Sequence, residues 1–133
     1  MYSITVRNNI LIAHSLPGEV FGPAQNMHGA TYIVDAEFFS ENVNKYNIIM
    51  DLGVVTNILA EVLKFYSYKN LDEVDEFNDI ITSTEFLAKD ICDRICARLK
   101  KDFNEDYQTL HKLKITLTES NVAWASFEKE IDK

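Results

Sequence analysis

Residues 26–38, NMHGATYIVDAEF, alternate in the way a β-strand does once past an unusual start, where His28 and Gly29 precede the alternation and Ala30 follows. Outward from that strand the same period of two recurs. In YSITVRNNILIAHSL (2–16), Tyr2, Ile4 and Val6 alternate, then Ile10 and Ile12, and Arg7-Asn8-Asn9 between them reads as turn material. That pattern predicts a β-hairpin. LPGEVFGPAQNM (16–27) holds both prolines and two of the four glycines, which predicts a loop of unusual length for so small a domain.

Downstream, NIIMDLG (47–53) predicts a short extended run ending at a turn glycine, with Asp51 shaping the entry to the next element. In GVVTNILAEVLKFYSY (53–68) the period changes: Val54, Val55, Ile58, Leu59, Val62, Leu63 and Tyr66 recur at helical spacing. TSTEFLAKDICDRICARLKK (82–101) offers Ser83 or Thr84 as N-cap, Glu85 in the first turn, a stripe through Phe86, Leu87, Ile91, Ile95 and Leu99, and basic residues at its end. LKITLTES (113–120) and VAWASFEKE (122–130) alternate again and predict a closing strand pair. The order is two strands, one or two strands, helix, helix, two strands. It predicts an α+β domain with both helices on one face of an antiparallel sheet.

Composition sets the bounds. With 133 residues, 47% of them hydrophobic and 26% charged, a single domain over 1–133 has enough apolar content for its own core. No apolar run approaches the ~20 residues that cross a bilayer, and no basic segment leads into an apolar one at the start, so a soluble, cytoplasmic protein without membrane partners is expected. A formal charge of −8, concentrated in NLDEVDEFND (70–79) and SFEKEIDK (126–133), repels phosphate backbones and argues against nucleic acid. The acidic run itself is expected to be a solvated loop. Cys92 and Cys96 are four apart on one helix face, too close to staple a fold and without further cysteines for a metal cluster, and are expected to be reduced, half-buried helix residues.

Two of the three histidines flank the long loop: His14 ends the second predicted strand and His28 begins the third. If those strands are antiparallel neighbours, the imidazoles meet at one end of the sheet, which is how a zinc site draws two nitrogen ligands from distant positions. The plainer alternative is a pair of satisfied polar residues at strand ends.

Taken in order, IAHSL, MHGATY, NIIMDLG, YKNLDE, TSTEFLAKDI and LTESNVAWASF, from about residue 2 to 131, resemble the ordered motifs of the 6-pyruvoyltetrahydropterin synthase and 6-carboxytetrahydropterin synthase family. The resemblance implies the tunnelling fold: a four-stranded antiparallel sheet carrying two antiparallel helices, with protomers assembled into barrels. Homo-hexamers of two stacked trimers, with sites between subunits, are implied with it. It also implies a zinc site, in which His14 matches the first ligand motif and His28 the second. The third ligand position is Ala30, which coordinates nothing, so zinc binding is expected to be weakened unless Glu19 or Gln25 substitutes. The position of the family's proton-abstracting Cys is Ala24, and its Asp-His pair is matched by Ser67 and Tyr68. Neither Ala nor Ser supplies a base, which leaves Tyr68, with His28, as candidate acid or base; the plainer role for Tyr68 is packing or a hydrogen bond. Glu119 matches the glutamate that accepts two hydrogen bonds from the amino-pyrimidine edge of the pterin, and Ser83 matches a threonine that supplements it. By parity with Leu113, Ile115 and Leu117, Glu119 is expected to be desolvated.

Two functions are therefore expected. The first is lyase-type chemistry on a reduced pterin or related bicyclic heterocycle, distinct from the family's standard reaction. The second is a protein that binds a pterin or purine-like ligand without turning it over.

Overall fold

The computed structural model describes residues 1–133. Alternation in the first strand runs straight through Arg7-Asn8-Asn9, and β1 is one continuous strand, Tyr2–His14. The predicted hairpin there is therefore wrong. Its cause is visible across the sheet: Arg7 makes a bidentate pair with Asp35 at 2.7 and 3.1 Å, so the polar triplet is matched to the neighbouring strand and has no need to turn. That neighbour is β2, His28–Ser40, antiparallel and in register from Tyr2↔Ser40 to His14↔His28.

NIIMDLG is not a strand. Ile49 and Met50 are buried, and Asp51 caps α1 (Leu52–Leu63) by accepting from the Val54 N–H at 3.0 Å. Asp51 thus has the turn-shaping role expected of it. The apolar stripe of α1 buries Val55, Ile58, Leu59 and Leu63. Tyr66, predicted to prolong that stripe, is buried in the following turn, and its hydroxyl donates to Asp90 at 2.5 Å.

A two-residue strand β3, Lys69–Asn70, pairs in parallel with β1 at Ile12 and Ala13. Ser83 then caps α2 (Thr84–Asp102), accepting from the Phe86 N–H at 3.1 Å; Leu87, Ile91, Ile95 and Leu99 are fully buried along it. Cys92 and Cys96 are free and buried on the same helix, more deeply than expected. A short helix α3, Asn104–Thr109, leads into β4 (Lys112–Ser120) and β5 (Ala123–Glu130).

Strand order is β3-β1-β2-β4-β5. The sheet is therefore five-stranded and mixed: the four long strands are antiparallel as expected, and the parallel bridge of β3 is the addition. One face carries the helices over Ile10, Ile12, Tyr32, Val34, Ala36, Phe38, Leu113, Ile115 and Leu117, all buried. Each Val, Leu, Ile or Phe side chain among these contributes about 1.5–3 kcal/mol when fully buried. The other face is polar and ion-paired, with Ser3 donating to Glu37 at 2.8 Å and Lys112 paired with Glu128 at 3.3 Å.

The acidic segment is more than a solvated loop. Leu71 and Phe77 are buried in two 3-10 turns, and Arg94 lies 3.8 Å over the Phe65 ring while pairing with Glu76 and Asp90 at 2.8 and 2.9 Å. Two apolar residues within the acidic run give it a side to bury, and a cation from α2 neutralises part of its charge. The long loop before β2 is also ordered, as 3-10 turns over Glu19–Gln25 kinked where Gly22 takes φ 53°, a left-handed value that glycine adopts without strain.

Candidate functional site

Antiparallel pairing with no register slip sets His14 directly opposite His28 at the end of β1 and the start of β2. Both side chains face the helices. Their ring centroids are 4.6 Å apart with planes 63° to one another, so the expected meeting of the two imidazoles at one end of the sheet is what the fold produces. Gly29, which follows His28 and pairs with Ala13, has no steric obligation: a Cβ there meets only the Ile12 carbonyl, at an ordinary 3.8 Å.

Each imidazole is held by its Nδ1. His28 donates from Nδ1 to the Asn26 carbonyl at 2.9 Å, which leaves its Nε2 bare. His14 Nδ1 lies 3.0 Å from the Thr82 hydroxyl, and both residues are almost wholly buried. Burial pushes the His14 pKa below the ordinary histidine value; proximity to His28 adds to this, while Asp72 and Thr82 oppose it. His14 is therefore neutral at pH 7. Because its folded pKa is the lower one, the unfolded chain binds the extra proton, so His14 costs stability as pH falls through about 6.5 toward the folded value, and the loss levels off below that. Urea unfolding of wild type and His14→Gln between pH 7.5 and 5 checks this. Wild type should lose more stability than the variant over that window, and equal slopes would remove His14 as the cause.

The remaining ligand position is Ala30, set opposite Ile12. Glu19 and Gln25 do not complete a set. Glu19 is exposed at the start of the 3-10 turns, and Gln25 is exposed with its amide donating to the Gly22 carbonyl at 3.1 Å. No group of three His, Cys, Asp or Glu side chains converges anywhere in the chain. Two imidazoles are one donor short of the three-ligand set that catalytic zinc requires, so the residues of a single chain do not fit such a zinc ion.

Beyond Ala30 on the same face of β2, Tyr32 is buried with its hydroxyl 3.3 Å from Thr84 Oγ1 in the first turn of α2. Burial raises its pKa and the nearby carboxylates of Glu119 and Glu85 raise it further, while Thr84 opposes them. Continuing the β2–β4 register of Ile33↔Thr118 by one residue sets Glu119 beside Tyr32. Glu119 is also the residue passed over where the β4–β5 pairing shifts between Thr118 and Ser120. This bulge sits at the sheet end that carries the imidazoles, and bulges re-aim side chains in this way. Its carboxylate is not desolvated as expected: within one chain Glu119 is exposed. Parity with an apolar row fixes the face, but the row ends where the helices end.

Ser83 lies in the same region, with its hydroxyl occupied by the α2 cap. Ala24 lies in the 3-10 turns, its carbonyl accepting from the Leu16 N–H. Tyr68 is not brought to the imidazoles of its own chain. Its N–H donates to the Leu11 carbonyl at 2.6 Å, its φ is 61°, and its side chain is 83% exposed, lining a groove with Asn8, Asn9 and Lys64. Sequence reasoning missed Tyr32 and Thr82. The signal for Tyr32 was available, since it shares the parity of His28 within the same strand. None was available for Thr82, because nothing local links it to a histidine 68 residues away.

The family model described as 6-pyruvoyl tetrahydropterin synthase matches residues 3–130. Among solved structures, the Caenorhabditis elegans 6-pyruvoyl tetrahydropterin synthase superposes with a TM-score of 0.80 at 19% identity, covering 97% of this chain and 96% of that one. The Plasmodium vivax and Plasmodium falciparum 6-pyruvoyl tetrahydropterin synthases give TM-scores of 0.78 and 0.79 at 16% and 15% identity, each covering 98% of both chains. No curated protein matches by sequence.

Proposed function

The chain belongs to the 6-pyruvoyl tetrahydropterin synthase family, and from that premise we propose that it binds a reduced pterin or closely related bicyclic heterocycle and carries out a lyase-type step on it other than the family's standard reaction. The observation that supports this reading is the gathering of Glu119, Tyr32, His14 and His28 on one face at one end of the sheet. A carboxylate offers two acceptors to the paired N–H donors of an amino-pyrimidine edge. The imidazoles, neutral at His14, offer bases to the rest of the ligand.

In this reading His28 and Tyr68 are the proton-transfer residues. Tyr68 points away from its own imidazoles and is open to solvent, as suits a residue that enters the site of a neighbouring subunit. Zinc, where it binds, is held by His14 and His28 and weakly. The second reading, a binder without turnover, is favoured by Ala24, Ser67 and Ala30, which stand where the family's catalytic and ligating residues are expected.

A panel of pterins and deazapurines, including neopterin and its dihydro form, tests both readings. Calorimetry should detect binding, and chromatography of the incubated ligand should detect a new product. Absence of binding to every member sinks both readings, and binding without product selects the second.

Assembly follows from edges. β5 has no partner on its outer side, and β1 is bordered only at Ile12 and Ala13, so a single chain leaves two lengths of strand unpaired. The chain is expected to form a closed homo-oligomer, a hexamer of two stacked trimers. Sedimentation at micromolar concentration checks it, and a stable monomer would refute it.

A further inference from the structure

Every side chain placed at the imidazole end of the sheet comes from residues 8–44, 70–88 or 115–128, and none of these stretches contains a lysine or arginine, although the chain has 13. They bring carboxylates instead. Glu119 is set beside Tyr32 by the β2–β4 register, and Glu85 follows Thr84, whose hydroxyl lies 3.3 Å from that of Tyr32. Asp72 and Asp79 line a groove of about 480 Å³ with Ser15, Asn78 and Ile81. The groove lies beside the histidines: Ser15 directly follows His14, Ile81 directly precedes Thr82, and His14 and Thr82 are in contact at 3.0 Å. The ion pairs of the chain engage other acids, and these four carboxylates have no cation opposite them.

From this distribution of charge we infer which ligand the site selects: a pterin whose side chain is an uncharged polyol, with the phosphorylated form of the same side chain rejected. The inference rests on the pterin reading and adds to it the class of side chain. With Glu119 engaged by the amino-pyrimidine edge, the rest of the ligand lies toward the imidazoles and the groove beside them. There Asp72 and Asp79 offer acceptors to hydroxyl groups. Asp72 already accepts from the Ser15 N–H at 3.2 and 3.1 Å and from the Ser15 hydroxyl at 2.5 Å, which fixes its carboxylate at the groove wall. A phosphate brings about −1.5 to −2 charges and further acceptor oxygens, so it meets like charge with no cation to offset it. A neighbouring subunit that inserts Tyr68 also brings Lys64 from the same groove and the adjacent Lys69, which is laid over the Phe65 ring at 5.0 Å. Two cations against four carboxylates leave the site acidic.

Calorimetry of the assembled protein with dihydroneopterin and with its phosphorylated form tests this. At low ionic strength the unphosphorylated ligand should bind at least ~10-fold tighter, and the gap should narrow as sodium chloride rises to about 0.5 M, because salt screens the repulsion. Asp79→Asn removes one charge at a residue whose φ of 60° asparagine also tolerates, and should narrow the gap about 3-fold. Glu61→Gln removes one charge at a remote acid paired with Arg98 and should leave the gap unchanged. A phosphorylated ligand that binds as tightly as the polyol or more so, a gap indifferent to salt, or equal effects of the two substitutions overturns the inference and leaves the pterin reading standing. Failure of both ligands to bind ends the pterin reading and this inference with it.

Discussion

Glu119→Gln is expected to weaken pterin binding by ~2 kcal/mol or more, roughly 30-fold, while the oligomer remains folded. The substitution is nearly isosteric, but it exchanges one acceptor for an N–H₂ donor. Opposite a ligand edge that presents two parallel N–H groups, the variant loses one charge-assisted hydrogen bond and sets donor against donor. The fold should not register the change. Glu119 is an exposed residue at the β4–β5 register shift, and no hydrogen bond from its side chain supports the sheet. In the proposed oligomer, a neighbouring subunit would cover this exposed carboxylate, which links this expectation to the assembly. Calorimetry with wild type and variant measures the effect. Equal affinities would remove Glu119 from the binding site and leave the family relationship as a statement about fold.

Ala30→His is expected to give the largest gain. Position 30 lies on β2 two residues after His28 and on the same face, opposite Ile12 and one strand-step from His14. An imidazole there raises the donor set from two nitrogens to three, the number that holds zinc with one position open. Because a ligating histidine donates its other nitrogen to an oxygen, the anchors of His14 on Thr82 and of His28 on Asn26 already supply the outer support such a site needs. The variant should retain one zinc per chain through extensive dialysis against a moderate chelator, and wild type should lose it. Elemental analysis decides. Stoichiometric zinc in wild type would mean that a third ligand comes from outside the chain's own convergent residues. No gain in the variant would mean that the imidazole at position 30 turns away from the pair.

Elements fixed by neighbours close in the chain are legible in the sequence itself. The caps Asp51 and Ser83, the buried stripe of α2 and the alternation of β2 are set by neighbours within one or two turns, and the structure reproduces them. The errors came where a distant partner overrides local appearance. Arg7-Asn8-Asn9 has the composition of a turn, yet Ile4, Val6, Ile10 and Ile12 stay in phase across it, and Asp35 on β2 supplies the partner that keeps Arg7 in the strand. The acidic run looked solvated because its charges hid Leu71 and Phe77. At the site, the meeting of His14 and His28 was readable because a single antiparallel pairing decides it. The exposure of Glu119 was not, since it depends on where the helices stop covering the sheet. Thr82 reached His14 only through the packing of α2 onto the strands.

The strand order β3-β1-β2-β4-β5 has a kinetic consequence. β1–β2 and β4–β5 are each closed by a local connection, but β2 meets β4 through pairs such as Ile33↔Thr118 and Phe39↔Lys112, more than seventy residues apart in the chain. Closing so long a loop costs roughly 1.5 kcal/mol more entropy than closing the thirteen-residue one between β1 and β2, and non-local pairings of this kind are the slow ones. The imidazole pair belongs to the first hairpin and Glu119 to the second. During refolding His14 and His28 therefore come together before the carboxylate reaches them, and a fluorescent pterin added from the start should be captured later than the circular-dichroism signal of strand formation appears.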